Sequence, residues 1–347
     1  MRSILSAVTA FLILGSTACC AAPPPPASSS SSAPAVPSAA RPQSSAAESA
    51  EASPAPTIPK SKTENFQESA ASASPAASSC PAFKVETLQT EQFTISYLKF
   101  GKPGGQPLVI LPGLSVKSVM ELADAIAEAY RIFADRYEIY LMDRRSDVPS
   151  VYSVRDMAKD TEAALDALKL SQCDIVGFSQ GGMIAQVIAA ERPDLAHKLV
   201  LGSTTAKVTD YERKLFLGWA RLAAANDLDG LTRSLLTHIY SDDFCRQNEA
   251  AYSAYIHSAS PEDLKRFIIF SKGMEDFDAS GQLKDISCPV LVLGAKQDKI
   301  ISPHASEDLQ KKLRCQSYIY DGYGHAVYDE APDYKDKVLN FLNEEKH

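Results

Sequence analysis

The chain has 347 residues, 45% of them hydrophobic and 22% charged, with a formal net charge of −8. These shares are ordinary for a globular protein and exclude a wholly disordered or collagen-like chain. The acidic balance speaks against nucleic acid as a partner, which needs a basic face, and the single long apolar run, Ile4–Leu14, excludes a polytopic membrane protein.

The first 80 residues do not read as fold. Residues 1–20 predict an export signal: Arg2 supplies a positive start, and the apolar run Ile4–Leu14 is too short for a stable bilayer span. Gly15, Ser16, Thr17 and Ala18 then lead into Cys19 and Cys20. A Cys after a small residue at this point resembles the lipobox of bacterial lipoproteins. That resemblance implies lipidation of Cys19 and attachment at the cell surface; cleavage and release is the alternative. From residue 21 to 80 the chain is mostly Ala, Ser and Pro, holds eleven of the 21 prolines and has Phe66 as its only aromatic residue. Such a segment cannot bury enough apolar surface to offset its ordering entropy, and it predicts a disordered linker. Four basic and four acidic residues cancel within residues 1–80, so the net charge of −8 belongs to the domain predicted over 81–347.

From Pro81 onward strand and helix patterns alternate. Phe83–Thr87 and Phe93–Phe100, rich in aromatic and β-branched residues, predict a hairpin. Pro107–Leu111 is a short, fully apolar run of the kind buried parallel strands require. Ser118–Phe133 has helical spacing, Tyr137–Met142 reads as a strand, and Val154–Leu168 reads as an amphipathic helix. Strand Asp174–Phe178 is followed by helix Gln180–Ala190 and strand Lys198–Gly202. Later come strand Pro289–Gly294, helix Ala305–Leu313, strand Gln316–Tyr320 and helix Tyr334–Leu342. The alternation implies an α/β fold, a mostly parallel twisted sheet with helices on both faces. Between Gly202 and Cys288 only helical patterns occur: Asp210–Ala224, Leu231–Ile239, Glu249–His257 and Pro261–Gly273. They predict a helical cap over about 207–285, above the carboxyl ends of the strands, where open α/β sheets bind ligands.

Gly177-Phe178-Ser179-Gln180-Gly181 is a G-x-S-x-G set between a predicted strand and a predicted helix. Turning from strand to helix in one residue strains the Ser backbone, and the small residues Gly177 and Gly181 let the chain pass close by. A Ser nucleophile needs a base, and the base needs an orienting acid. In the chain order Ser–acid–His, the acid ends a later strand and the His follows the last one. Asp298 lies four residues beyond Gly294, and His325 lies five beyond Tyr320. The other usual place for the acid, after Lys198–Gly202, reads Ser203-Thr204-Thr205-Ala206 and holds no carboxylate. His304 is the rival base, but the flanking Gly322 and Gly324 favour His325. His197 and His347 read as surface residues, while His238 and His257 fall on cap helices. A tetrahedral intermediate also needs two amide donors. The backbone N–H of Gln180 is one, and that of Leu114, after Gly113, is the other. Ser115 either assists them or caps the next helix.

Five pieces together resemble the α/β-hydrolase superfamily over residues 83–347: LPGLS before the first crossover helix, IVGFSQGGMIA at the elbow, KLVLGST, CPVLVLGAKQD and GHAVYDEAP. Their order and spacing are similar to the capped members, namely esterases and proline iminopeptidase-like and cofactor-free haloperoxidase-like enzymes. The resemblance implies Ser179, Asp298 and His325 as a catalytic triad. Pro112-Gly113 stands where members commonly have His-Gly. Asp143-Arg144-Arg145-Ser146-Asp147-Val148 stands where many carry D-x-R-G-x-G, which makes that loop bulkier and more charged. The HGGPG loop of proline iminopeptidases is absent, which weighs against that activity.

The resulting expectation is a serine hydrolase that cleaves a carboxylic ester or related acyl bond of a small substrate through an acyl-enzyme. Amide or peptide hydrolysis, acyl transfer, perhydrolysis or ligand binding without turnover are the alternatives on the same scaffold. Tyr211, Arg221, Tyr240, Tyr252 and Tyr255 are the cap's candidate specificity groups, with polar helix faces as the plainer reading. No metal or organic cofactor is expected, since the Cys lack C-x-x-C spacing and the His do not cluster. The expected partner is a small acyl substrate, with membrane contact through the lipid anchor alone.

Overall fold

A computed structural model describes residues 83–344. The export signal, Cys19 as the lipid-attachment site and the linker over 21–80 lie outside the described residues.

The described residues form an eight-stranded sheet. Its strands are β1 (Val85–Gln89), β2 (Thr94–Gly101), β3 (Gln106–Leu111), β4 (Tyr137–Arg145), β5 (Cys173–Phe178), β6 (Ala196–Gly202), β7 (Val290–Ala295) and β8 (Gln316–Tyr320). They lie in the order β1-β2-β4-β3-β5-β6-β7-β8. The β1–β2 and β2–β4 pairings are antiparallel and the others parallel. β5 and β7 are buried along their whole length. This is what strands covered on both faces require, and it explains why they read as unbroken apolar runs.

Helices α1 (Ala123–Ala129), α2 (Val154–Ala167), α3 (Gln180–Glu191), α8 (Pro303–Leu313), α9 (Val327–Glu330) and α10 (Tyr334–Asn343) cover the sheet. α3 buries ten of its twelve residues, so it is apolar all round rather than amphipathic. Burying Ile184, Val187 and Ile188, which retain no exposed surface, contributes about 1.5–3 kcal/mol per side chain. By contrast α2 starts at a capping box, Ser153 with Asp156, and buries one stripe. No helix among the described residues is long and apolar enough to cross a membrane.

After β6 the chain leaves the sheet for α4 (Asp210–Ala224), α5 (Leu228–Ile239), α6 (Asp242–His257) and α7 (Pro261–Lys272). These pack on one another as a helical cap, α4 against both α5 and α7 and α5 against α6. α6 begins seven residues earlier than its apolar pattern suggests. Ser241 caps it by accepting from the Phe244 N–H, and Asp242 and Asp243 occupy the first turn.

The helix expected over Ser118–Phe133 is instead three short pieces. Val119–Leu122 and Arg131–Phe133 are 3₁₀ turns on either side of α1. A 3₁₀ turn stacks residues i and i+3 on one line. That lets Val119 and Leu122, and again Tyr130 and Phe133, face the core together.

Register brings the strand ends level. Leu111 of β3 pairs Gly177 of β5, Phe178 pairs Gly202 of β6, Gly202 pairs Leu293 of β7, and Ala295 pairs Tyr320 of β8. The loops that carry Gly113, Ser179, Asp298 and His325 therefore emerge along one edge, under the cap.

Candidate active site

Ser179 sits between β5 and α3 with φ 50° and ψ −118°. A non-glycine residue in this region stores about 1–3 kcal/mol of strain, and the neighbours clamp it. Its N–H donates to the Gly202 carbonyl at 2.9 Å. Its carbonyl accepts from the Thr204 hydroxyl at 2.8 Å and from the Met183 N–H at 3.1 Å. The glycines permit the close approach. A Cβ on Gly181 would lie 2.0 Å from the Leu111 carbonyl oxygen, and one on Gly177 would lie 2.5 Å from the Gly181 oxygen. The start of α3 thus rests directly on β3 and β5.

His325 follows β8 and Asp298 follows β7. The His325 Nδ1 and Asp298 Oδ2 are 2.8 Å apart, and both side chains are nearly sealed from solvent. The other Asp298 oxygen accepts the N–H groups of Ile300, at 2.8 Å, and Ile301, at 2.9 Å. That arrangement makes the Asp298 side chain an acceptor at both oxygens, assigns the proton on His325 to Nδ1 and leaves Nε2 for another partner. The Ser203 hydroxyl donates to the His325 carbonyl at 2.8 Å, tying the end of β6 to this loop.

Ser179 and His325 line one cavity of about 30 Å³ together with Gly113 and Leu114. Phe216, Trp219 and Met274 close it from the cap side. The Gln180 N–H opens α3, where first-turn amides have no partner within the helix. His304, the rival base, has an exposed side chain against Glu307 on α8 and does not line this cavity. Ser115 does not cap the following helix. It donates to the Lys117 carbonyl, and Ser118 accepts from Met120 N–H in the capping position.

Three features escaped the sequence reading. Arg144, at the end of β4, is buried and donates to the Pro112 carbonyl at 2.6 Å and to Gln180 Oε1 at 3.3 Å. The Gln180 amide then donates to the Phe270 carbonyl of α7 at 3.1 Å. One guanidinium therefore ties the Leu114 loop to the elbow, and Gln180 ties the elbow to the cap. Burial lowers the Arg144 pKa, with Asp143 opposing. Thirdly, His197, read as surface, is half-buried and pairs with Asp174 at 2.7 Å. Of the cap groups, Tyr240, Tyr252 and Tyr255 line an adjoining cavity. Tyr211 instead reaches the Lys299 carbonyl, and Arg221 reaches the Leu217 carbonyl on its own helix.

Among the described residues no three His, Cys, Asp or Glu side chains converge as metal ligands would.

Residues 106–332 match the family described as alpha/beta hydrolase fold. A putative carbamate hydrolase RutD of Pantoea ananatis is 27% identical over 205 residues, 56% of this chain and 72% of the relative. A 3-oxoadipate enol-lactonase 2 of Acinetobacter baylyi is 23% identical over 220 residues, 62% of this chain and 80% of the relative. Among solved structures, an α/β hydrolase enzyme from a Medee basin deep-sea metagenome library superposes with a TM-score of 0.67 at 21% identity. It covers 76% of this chain and 98% of its own. The enol-lactonase of Burkholderia xenovorans superposes at 0.66 with 16% identity, covering 75% of this chain and 100% of its own. These structural likenesses are likenesses of fold.

Proposed function

The chain belongs to the α/β-hydrolase family and is a hydrolase, and from that premise we propose that it cleaves a carboxylic ester or related acyl bond of a small substrate through Ser179. One observation carries the reading: a serine held at positive φ at the strand–helix elbow shares a cavity with a histidine whose other nitrogen is bound by a buried carboxylate.

In this reading Ser179 Oγ attacks the carbonyl carbon and the His325 Nε2 takes its proton. The Asp298 carboxylate holds the ring and stabilises the imidazolium. The N–H groups of Gln180 and Leu114 receive the oxyanion. His325 returns the proton to the leaving oxygen, which departs and leaves an acyl-enzyme on Ser179. Water, deprotonated by the same nitrogen, then releases the acid. Amide and carbamate cleavage is the second reading, supported by the relatives named putative carbamate hydrolase and pyrrolizixenacetamide deacetylase.

The test is labelling of the purified protein by a fluorophosphonate, followed by hydrolysis of paired esters and amides that share one acyl group. Labelling that disappears in Ser179→Ala and His325→Ala is expected, with the ester turned over faster. A folded wild type that takes no label removes the reading. We also propose export with lipidation at Cys19, supported by the pattern of residues 1–20. Incorporation of radiolabelled palmitate is then lost in Cys19→Ala and kept in Cys20→Ala; the reverse pattern overturns that assignment.

A further inference from the structure

Beside the Ser179 cavity lies a larger one, of about 180 Å³. The two share Gly113, Leu114, Leu235, Ile239 and Tyr328, so they adjoin, and a chain attached at Ser179 would have the larger one beside it. The walls of the larger cavity are aliphatic side chains and the rings of phenylalanines and tyrosines, contributed by the sheet edge, α1 and the cap. Asp329 is the single charged residue in its lining.

The Asp329 carboxylate has no hydrogen-bond or ion-pair partner among the described residues. Two charged groups act on it from a distance, Lys335 and Glu330. The Lys335 ammonium is engaged elsewhere: it donates to the Tyr328 carbonyl at 3.2 Å and lies 5.4 Å over the Tyr130 ring. Glu330 accepts from the N–H and hydroxyl of Ser241. Lys335 acts on Asp329 more strongly than Glu330 does, but through space and without an ion pair, so the carboxylate keeps its direct contacts open. Burial pushes its carboxyl up to about 6, so at neutral pH it is still mostly ionised. An unpaired carboxylate facing an apolar cavity costs free energy unless something pairs with it. Lys335 and Lys117 already lie over the Tyr130 and Tyr255 rings, and the rings of Tyr240 and Tyr328, close enough to sense the Asp329 charge, would attract the same kind of group, since an ammonium is drawn to aromatic rings.

We propose that this cavity is the acyl subsite for a substrate with an ammonium group at the far end of an apolar spacer, and that Asp329 is its counter-ion. The proposal rests on the hydrolase reading for its direction, because the acyl group is what Ser179 anchors. It adds the substrate's charge class and the residue that selects it. Asp329 lies in GHAVYDEAP, where the sequence reading singled out only His325.

The experiment compares two nitrophenyl esters on the full chain. One carries trimethylammoniohexanoic acid, the other its neutral tert-butyl isostere, so shape is held and charge is changed. Wild type is expected to favour the cationic ester by about tenfold or more in kcat/KM, and Asp329→Asn to bring that ratio close to one. A wild type that cleaves both at the same rate, or a ratio unchanged in Asp329→Asn, overturns the proposal. A binding arm needs no turnover: hexyltrimethylammonium is titrated calorimetrically into Ser179→Ala, with and without Asp329→Asn. Loss of affinity by about fivefold or more in the double variant upholds the subsite, even if neither ester is cleaved, in which case the proposed ester cleavage alone fails. Equal affinity in the two variants overturns the subsite while leaving the hydrolase reading intact.

Discussion

Gly113 and Ser179 face each other so closely across the sheet edge that a Cβ on Gly113 would lie 3.2 Å from the Ser179 Cβ and 3.9 Å from its Oγ. The loop after β3 is therefore fitted to Ser179 at the scale of one methyl group. Gly113→Ala is expected to push Leu114 away from the oxyanion position. kcat should fall about 10–100-fold, while urea denaturation shifts by no more than about 1 kcal/mol, since the loop lies at the surface of the core. Unchanged kcat would show that the Leu114 amide is not a donor.

Asp298 spends one oxygen on two backbone amides and the other on His325. Asp298→Asn keeps the shape but presents an NH₂ or a neutral oxygen to a nitrogen that needs an acceptor. The wrong tautomer then faces Ser179, and kcat should fall about 10⁴-fold, by analogy with the serine protease triad. Steady-state kinetics with an activated ester checks this, and a loss of less than about tenfold would remove Asp298 from the triad.

Arg144 holds the Pro112 carbonyl and the Gln180 side chain with one guanidinium nitrogen. Lysine keeps the charge but not the planar fork. Arg144→Lys is expected to lower kcat about tenfold, with a smaller change in KM, because it loosens the donors and not the substrate cavity. Fluorophosphonate labelling should slow in parallel. A change in KM alone would assign Arg144 to substrate binding instead.

Glu162 on α2 is half-buried, and one of its oxygens has no partner. Burial, with the nearby Glu191, pushes its carboxyl from 4.5 up to about 7. The folded state therefore holds this proton more tightly than the unfolded chain. The associated stability is complete below pH 4.5 and is lost as pH rises through about 7. Glu162→Gln removes that loss, and partial exposure reduces its size, so the variant should be more stable than wild type at pH 8 by about 1 kcal/mol. Urea midpoints at pH 5 and pH 8 measure it; equal shifts at both would show that Glu162 titrates normally.

The limits of sequence reading follow from how far apart the deciding partners lie. β5 and α3 were legible because a strand buried on both faces is a continuous apolar run and because the elbow glycines are adjacent in the chain. Ser179, Asp298 and His325 stand out by their places after β5, β7 and β8. That Asp298 and His325 meet at 2.8 Å, and that Ser179 and His325 line one cavity, depends on the common register of five strand ends. The region from 118 to 133 has helical spacing, yet it becomes two 3₁₀ turns around α1, because packing of Val119, Leu122, Tyr130 and Phe133 overrides a weak local preference. The apolar pattern of α6 starts only at Glu249, although Ser241 and the two following aspartates already signal its start.

What the sequence by itself determined was the alternation of elements, the helical insertion and where the candidate residues Ser179, Asp298 and His325 fall among them. Each of those is written in composition and short-range spacing. Only the tertiary structure decided that Arg144 serves the loop 32 residues before it and that Asp329 faces an apolar cavity without a partner. The same residue types at the same spacings would be ordinary surface charges in another fold. Burial, and the direction in which the sheet edge and cap turn a side chain, give these two their roles.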